Sequence, residues 1–307
     1  MRHSGVATVA AALAAWGSLA VSARAARAFC RTTTCNTCEV DVSGCVTQGL
    51  PLYWASSCVS YDLQQGASRW ASLDVATGVA DGAFAAWAGV TCDGQAPSIR
   101  FMNLGPVVCD KREFNDGQET VGGNANIIVF RDDIWPESPV ADPTSTLALT
   151  TVTFSKKTGQ IVDADIEING SRNALSTSDV PPAGGYDLAS ILAHETGHFL
   201  GLSHSNVPCD DPSTCPTMNG LYMPGSTAYR SLEDDDKAGL CAIYPPDRAV
   251  AGGSCNPIGG FSSACGHPPE GGCAVGGAWG RPESGFLAMV VIALATVVLS
   301  RGRRERK

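Results

Sequence analysis

His194-Glu195-Thr196-Gly197-His198-Phe199-Leu200-Gly201-Leu202-Ser203-His204 (HETGHFLGLSH) gathers three of the five histidines of a 307-residue chain into one short window. On a helix, His194 and His198 lie one turn apart on the same face, within reach of one cation. Glu195 stands beside them, where its carboxylate can take a proton from a water that the cation acidifies. Gly201 supports the left-handed turn that ends the helix, and the chain then doubles back to bring His204 in as a third nitrogen donor. Three imidazoles leave one tetrahedral position open, the pattern of a catalytic rather than a structural Zn2+ site. Three unconnected histidines on a solvated helix would not demand Glu195 and Gly201 at these fixed places. Outside the window only His3 and His267 remain, which excludes a second site built from several histidines.

The stretch before the window supplies its helix. Pro181-Pro182-Ala183-Gly184-Gly185 interrupts the chain, and Asp187 then caps an apolar helical run, LASILAHETGHFLG. Upstream lie an alternating strand over Leu50 to Gln64 and a helix from Asp74 to Val90 that buries Val75, Val79, Phe84 and Trp87. Three further strands are expected at Ser98 to Leu104, Asn126 to Phe130 and Thr146 to Phe154. Lys156-Lys157-Thr158-Gly159 makes a hairpin turn into the next strand. There Val162, Ala164, Ile166 and Ile168 face one way and Asp163, Asp165 and Glu167 the other. Period-two alternation makes those carboxylates a solvated strand face, with a Ca2+ site as the weaker, unsupported alternative.

HETGHFLGLSH followed by PTMNG and SLEDDDKAGLCAIYP resembles the metzincin metallopeptidases, and within them the matrixin-like group, whose motif continues as Gly201, Leu202, His204 and Ser205 do here. The resemblance covers Leu50 to Pro245. It implies an α/β domain of the zincin-like α+β kind: a five-stranded twisted mixed sheet, an active-site helix, and a small C-terminal subdomain ending in a helix such as Leu232 to Ile243. It also implies one catalytic Zn2+ on His194, His198 and His204, Glu195 as general base, and a methionine turn under the metal, with Met218 favoured over Met223. An extended protein or peptide substrate should then lie along the edge strand Thr146 to Phe154. Two departures stand out. Cys209 and Cys215 bracket an insertion that reads as a local disulfide loop at the cleft rim, and no segment resembles the cysteine switch of vertebrate matrixins.

The ends of the chain read as processing signals. Residues 1–28 carry Arg2 and His3, an Ala-rich apolar run and the Ala26-Arg27-Ala28 pattern of an export signal. A short Cys-rich segment, 29–48, precedes the catalytic domain at 49–245, and a Gly/Pro/Ser-rich linker follows at 246–272. From Cys273 the tail holds the unbroken apolar run Phe286 to Ser300 and a basic end. That run falls a little short of the ~20 residues of a spanning helix, yet its basic flank suits transient membrane association. Gly271-Gly272-Cys273, the apolar run and the Arg-rich end resemble the Myxo-CTERM type of sorting signal, which implies cleavage near Cys273 and display or release outside the cell.

Without both ends, 12 basic residues face 28 acidic ones, a net charge of −16. Such a chain repels nucleic acid and anionic membrane surfaces. Its 13 cysteines imply disulfides in an oxidising compartment. The simplest partition pairs Cys30, Cys35, Cys38 and Cys45 among themselves, then Cys58, Cys92, Cys109, Cys209, Cys215 and Cys241, then Cys255 with Cys265, leaving Cys273 over. The function expected is a monomeric, exported zinc endopeptidase. A surface adhesin of the same fold and a zinc amidase acting on cell-wall peptide are the competing readings.

Overall fold

The computed structural model describes residues 29–35, 37–115, 123–135, 142, 144–209, 211, 214–250, 252–264 and the strand at 287–296. The expected export signal, Cys265, Cys273 and the basic end lie outside the described residues. In chain order the elements are β1 (Tyr53–Trp54), β2 (Cys58–Gln64), α1 (Leu73–Ala88), β3 (Arg100–Val107), β4 (Ile127–Phe130), β5 (Thr146–Ser155), β6 (Gln160–Ile168), β7 (Leu175–Ser176), β8 (Tyr186–Asp187), α2 (Leu188–Phe199), β9 (Leu221–Tyr222), α3 (Asp234–Ile243) and β10 (Leu287–Thr296).

Five strands, β3-β2-β4-β6-β5, make the expected mixed sheet, parallel except for β5, which the Lys156–Gly159 hairpin turns back against β6. Among the described residues β10, β9 and β1 extend it. The long first strand expected over Leu50 to Gln64 is divided instead. Tyr53 and Trp54 pair with the start of β6, whereas Cys58 to Gln64 pair with β3 and β4, so Ala55 to Ser57 must step between two partners.

Both long helices cover one face of the sheet. Helix α1 buries Ala76, Ala80, Ala83, Phe84 and Trp87, while Val75, expected inside, is 44% exposed. Small alanines line the buried face of α1, and Phe84 stacks on Tyr61 at 3.8 Å between ring centroids and meets Phe199 of α2 edge-on at 5.2 Å. On β6 the inward residues are Ile161, Ala164, Ile166 and Ile168, because an irregularity opposite Thr153 and Phe154 shifts the alternation at its start.

The opposite face corrects the expectation of a solvated carboxylate row: Asp163, Asp165 and Glu167 are all buried. Chain segments lie over them and satisfy part of their charge. Asp165 accepts the N–H groups of Glu113 and Ile127, and Glu167 pairs with Arg131 at 2.6 Å and Arg112 at 3.7 Å. Residues 252–264 are fastened to β2 and to the chain just after β3. Cys58 bonds to Cys255, the Ser60 N–H reaches the Cys255 carbonyl, and the Val108 N–H reaches that of Ser263. The expected Cys255–Cys265 pair is therefore replaced by a bridge that closes a separation of 197 residues and ties this glycine-rich stretch to the sheet. Cys30–Cys45, Cys35–Cys38, Cys92–Cys241 and Cys209–Cys215 are the other described bridges, and Cys109 is also disulfide-bonded.

Asp62 lies on the same covered face, and burial pushes its carboxyl from 3.8 up to about 7 against the opposing Leu104 N–H. The folded chain thus holds this proton more tightly than the unfolded chain. Below pH ~4 the group is neutral in both states, and stability is lost as pH rises through 7. Asp62→Asn should therefore raise the melting temperature by a few degrees at pH 8 and leave it unchanged at pH 3.5. Thermal melts at both values check this; an equal change at both would reject it.

The apolar tail run is also not helical. Leu287–Thr296 pairs antiparallel with β5 from Leu287↔Ser155 to Ala295↔Thr146, and its end pairs parallel with β9. Val290, Val291, Ile292 and Thr296 are β-branched residues that favour extension, and β5 offers an open row of backbone donors and acceptors. No helix among the described residues is long and apolar enough to cross a membrane.

Candidate metal centre

Helix α2 carries the histidines and is fastened at both ends. At its start the Asp187 carboxylate accepts the Ser190 N–H at 2.9 Å and is gripped bidentately by Arg230, at 2.8 and 2.7 Å. Arg230 therefore ties the loop beyond the histidines to the helix that presents them. At its end Gly201 adopts φ +94°, and a Cβ there would stand 2.7 Å from the Leu52 carbonyl oxygen. Only glycine serves both the turn and the close approach.

The reversal brings the three expected histidines together: one nitrogen from each of His194, His198 and His204 lies within 4.8 Å of the others. The Nδ1 of His194 donates to the Thr217 carbonyl at 2.6 Å, and the Nδ1 of His198 donates to the Leu202 carbonyl at 2.9 Å. A carbonyl only accepts, so each ring carries its proton on Nδ1 and leaves a lone pair on Nε2. Those two Nε2 atoms face each other at 3.0 Å. The buried Nε2 of His204 has no hydrogen-bond partner among the described residues. Lone pairs facing one another across a buried space fit a cation and little else.

Burial keeps the triad neutral. It lowers His194 to about 3, with His204 adding repulsion, lowers His204 to about 4, and drives His198 well below its ordinary value. Glu195 responds oppositely, pushed up to about 8 by burial although the Thr150 hydroxyl opposes the shift. That hydroxyl donates to Oε2 at 2.5 Å, while Oε1 is buried without a partner.

Beneath the helix sits Met218, buried, whereas Met223 is 37% exposed. A Cβ at Gly197 would overlap the Met218 Sδ and crowd Trp87, whose indole N–H holds the Ala193 carbonyl at 2.8 Å. The glycine in the middle of the histidine helix thus admits the methionine. Asp236 in the first turn of α3 accepts the N–H groups of Thr217, Met218 and Glu233, fixing the methionine turn and capping α3 together. Asp235 accepts the Ser205 hydroxyl and the Phe29 N–H.

Thr150, Asp236 and Arg230 did not emerge from the sequence as site residues. Their partners are 45, 18 or 19, and 43 residues away, beyond any helix or strand period. The run Asp234-Asp235-Asp236 was the one visible signal, since a carboxylate at the third helical position can close a capping box. Cys273 lies outside the described residues. All four N-terminal cysteines are disulfide-bonded, so none offers a thiolate to the histidines.

A histidine triad on one helix and the turn after it, a methionine below and the antiparallel strand β5 beside it define an α/β domain of the metallopeptidase type. The family model described as Peptidase_M10, Matrixin, matches residues 53–245, and the chain belongs to that family. Neutrophil collagenase of Homo sapiens is 32% identical over 133 residues, which are 43% of this chain and 24% of that protein. Matrix metalloproteinase-16 of Rattus norvegicus and of Homo sapiens is 41% identical over 69 residues, 22% of this chain and 10% of those proteins. The matched region thus spans a quarter or less of the length of these relatives.

Proposed function

We propose that the chain is an exported zinc-dependent endopeptidase, with His194, His198 and His204 as the metal ligands and Glu195 as the general base. The observation that carries this reading is the buried convergence of three neutral imidazoles beside a carboxylate oxygen, Glu195 Oε1, that nothing else occupies. Zinc, when bound there, supplies a Lewis acid that polarises a carbonyl and acidifies water. The remaining work falls to the chain. Thr150 holds one oxygen of Glu195, so Oε1 is left free to take the proton of the attacking water and return it to the leaving amine. Burial alone raises that carboxyl, and a cation held by the three histidines would oppose the shift and favour the carboxylate that a base requires. Met218 and Asp236 keep the floor of the site rigid.

Substrate in this reading is an extended protein segment pairing with β5. The disulfides support export, and cleavage near Cys273 with surface display or release is the proposed fate of the tail. Transient membrane association of that tail, and a monomeric state, belong to the same reading. Calcium has no assigned ligands here. Purified protein should contain about one zinc per chain, lose cleavage of casein and of a peptide library on chelation, and regain it with zinc. Turnover of peptidoglycan with none of casein would point instead to an amidase. Stoichiometric zinc with neither activity would point to an adhesin.

A further inference from the structure

The N-terminal cysteine-rich segment is built into the turn that carries the ligands. The Thr32 N–H donates to the Gly201 carbonyl at 3.0 Å and the Ser203 N–H donates to the Cys30 carbonyl at 2.9 Å, with Arg31 opposite Leu202 in an antiparallel bridge. On its other side the Leu52 N–H reaches the Thr32 carbonyl at 2.9 Å. Residues 30–32 therefore form a short rung between the start of the sheet and the turn that leads to His204. A staple keeps the rung in place: Cys30 is bonded to Cys45, and the Asn206 side chain, two residues past His204, packs on Cys30 Sγ at 3.1 Å and against Gly44.

Within this rung one side chain reaches the metal ligands. The buried Thr32 hydroxyl donates to the Leu202 carbonyl at 2.9 Å, and the same oxygen accepts the Nδ1–H of His198 at 2.9 Å. The Leu202 carbonyl has two lone pairs, and both are used. Its direction sets the ring orientation of His198 and hence the aim of Nε2, and Thr32 is the second donor that fixes that direction.

We propose that Thr32 is a positioning residue for the metal site, acting on His198 through the Leu202 carbonyl. The inference rests on the assignment of the triad as zinc ligands. Its chemistry is specific: the hydroxyl matters, not the bulk of the side chain. Removing a hydrogen-bond partner of a ligand histidine typically weakens metal binding by ~10- to 100-fold.

The test compares Thr32→Val, which keeps the shape without the donor, with Thr32→Ser, which keeps the donor without the methyl. Zinc affinity is measured by chelator competition and the metal-free proteins are melted in parallel. Thr32→Val should bind zinc ~10- to 100-fold more weakly, with Thr32→Ser close to the parent and metal-free melting temperatures within a few degrees of one another. If Thr32→Val lowers the metal-free melting temperature substantially, Thr32→Ala and the absorption spectrum of the cobalt-loaded proteins at saturation give the second reading. A ligand-field band displaced in Val and Ala but not in Ser sustains the role; identical bands overturn it. Parent-like zinc affinity in Thr32→Val, or equal loss in Val and Ser, also overturns it while leaving the metal site standing. A parent protein that binds no zinc, or a His204→Ala variant that binds it as tightly as the parent, overturns the metal-site reading and this inference together.

Discussion

Glu195→Ala should retain its zinc and lose peptide cleavage by at least ~10²- to 10⁴-fold, the range expected for deleting a general acid–base. The separation of the two readouts follows from the geometry. The three imidazoles are oriented by the Thr217 and Leu202 carbonyls and by the reversal at Gly201, none of which involves the Glu195 side chain. Removing the carboxylate also frees the Thr150 hydroxyl, which keeps the Glu195 main-chain carbonyl as an acceptor at 3.3 Å. The variant should therefore fold and bind metal normally. Metal content by mass spectrometry and turnover of a quenched peptide check the two halves separately. Cleavage at the parent rate would remove Glu195 from the mechanism.

Removing the C-terminal tail should have the next largest effect, in the opposite direction. Strand β10 pairs with β5 through nine residue pairs, and its far end lies against β9, so in the full chain the edge proposed for substrate is already filled. Backbone N–H and C=O groups on one edge of β5 cannot serve two strands at once. A tethered strand competes at an effective concentration of about millimolar, well above that of a protein substrate at micromolar levels. A chain ending at Gly272 keeps the Cys58–Cys255 bridge and should cleave protein substrates at least about tenfold more efficiently than the full chain, with unchanged zinc content. Equal efficiency would mean that the tail leaves the edge in solution. A tenfold gain would instead make export and sorting an activation step, because the cut proposed near Cys273 releases the strand paired with β5.

The legible part of the fold was the part encoded in short periods. The α2 helix, its Asp187 cap, the turn at Gly201 and the β5–β6 hairpin all follow from residues within a few positions of each other, and each is found where its residues stand. The same holds for the gathering of His194, His198 and His204, since a helix spacing and one glycine turn suffice to bring them together. Reasoning by period was weaker where a second layer of chain intervenes. Asp163, Asp165 and Glu167 alternate like a solvated face, and alternation cannot register that Arg112, Glu113 and Arg131 reach Asp165 and Glu167 from elsewhere in the chain. Val75 failed for a related reason: the helix is rotated so that alanines, not the larger valine, are buried.

By itself the sequence determined the histidine constellation, because residue type, helix spacing and the turn residue are all local, and the family match over residues 53–245 includes that window. Only the tertiary structure decided what holds that constellation in place. Thr150 on Glu195, Asp236 under Met218, Thr32 behind His198 and the Cys58–Cys255 bridge all join residues far apart in the chain. The occupant of the cleft edge was decided there too. An apolar run has no partner until folding leaves β5 with an unpaired edge, and long-range pairing of that kind depends on three-dimensional placement that no local period contains.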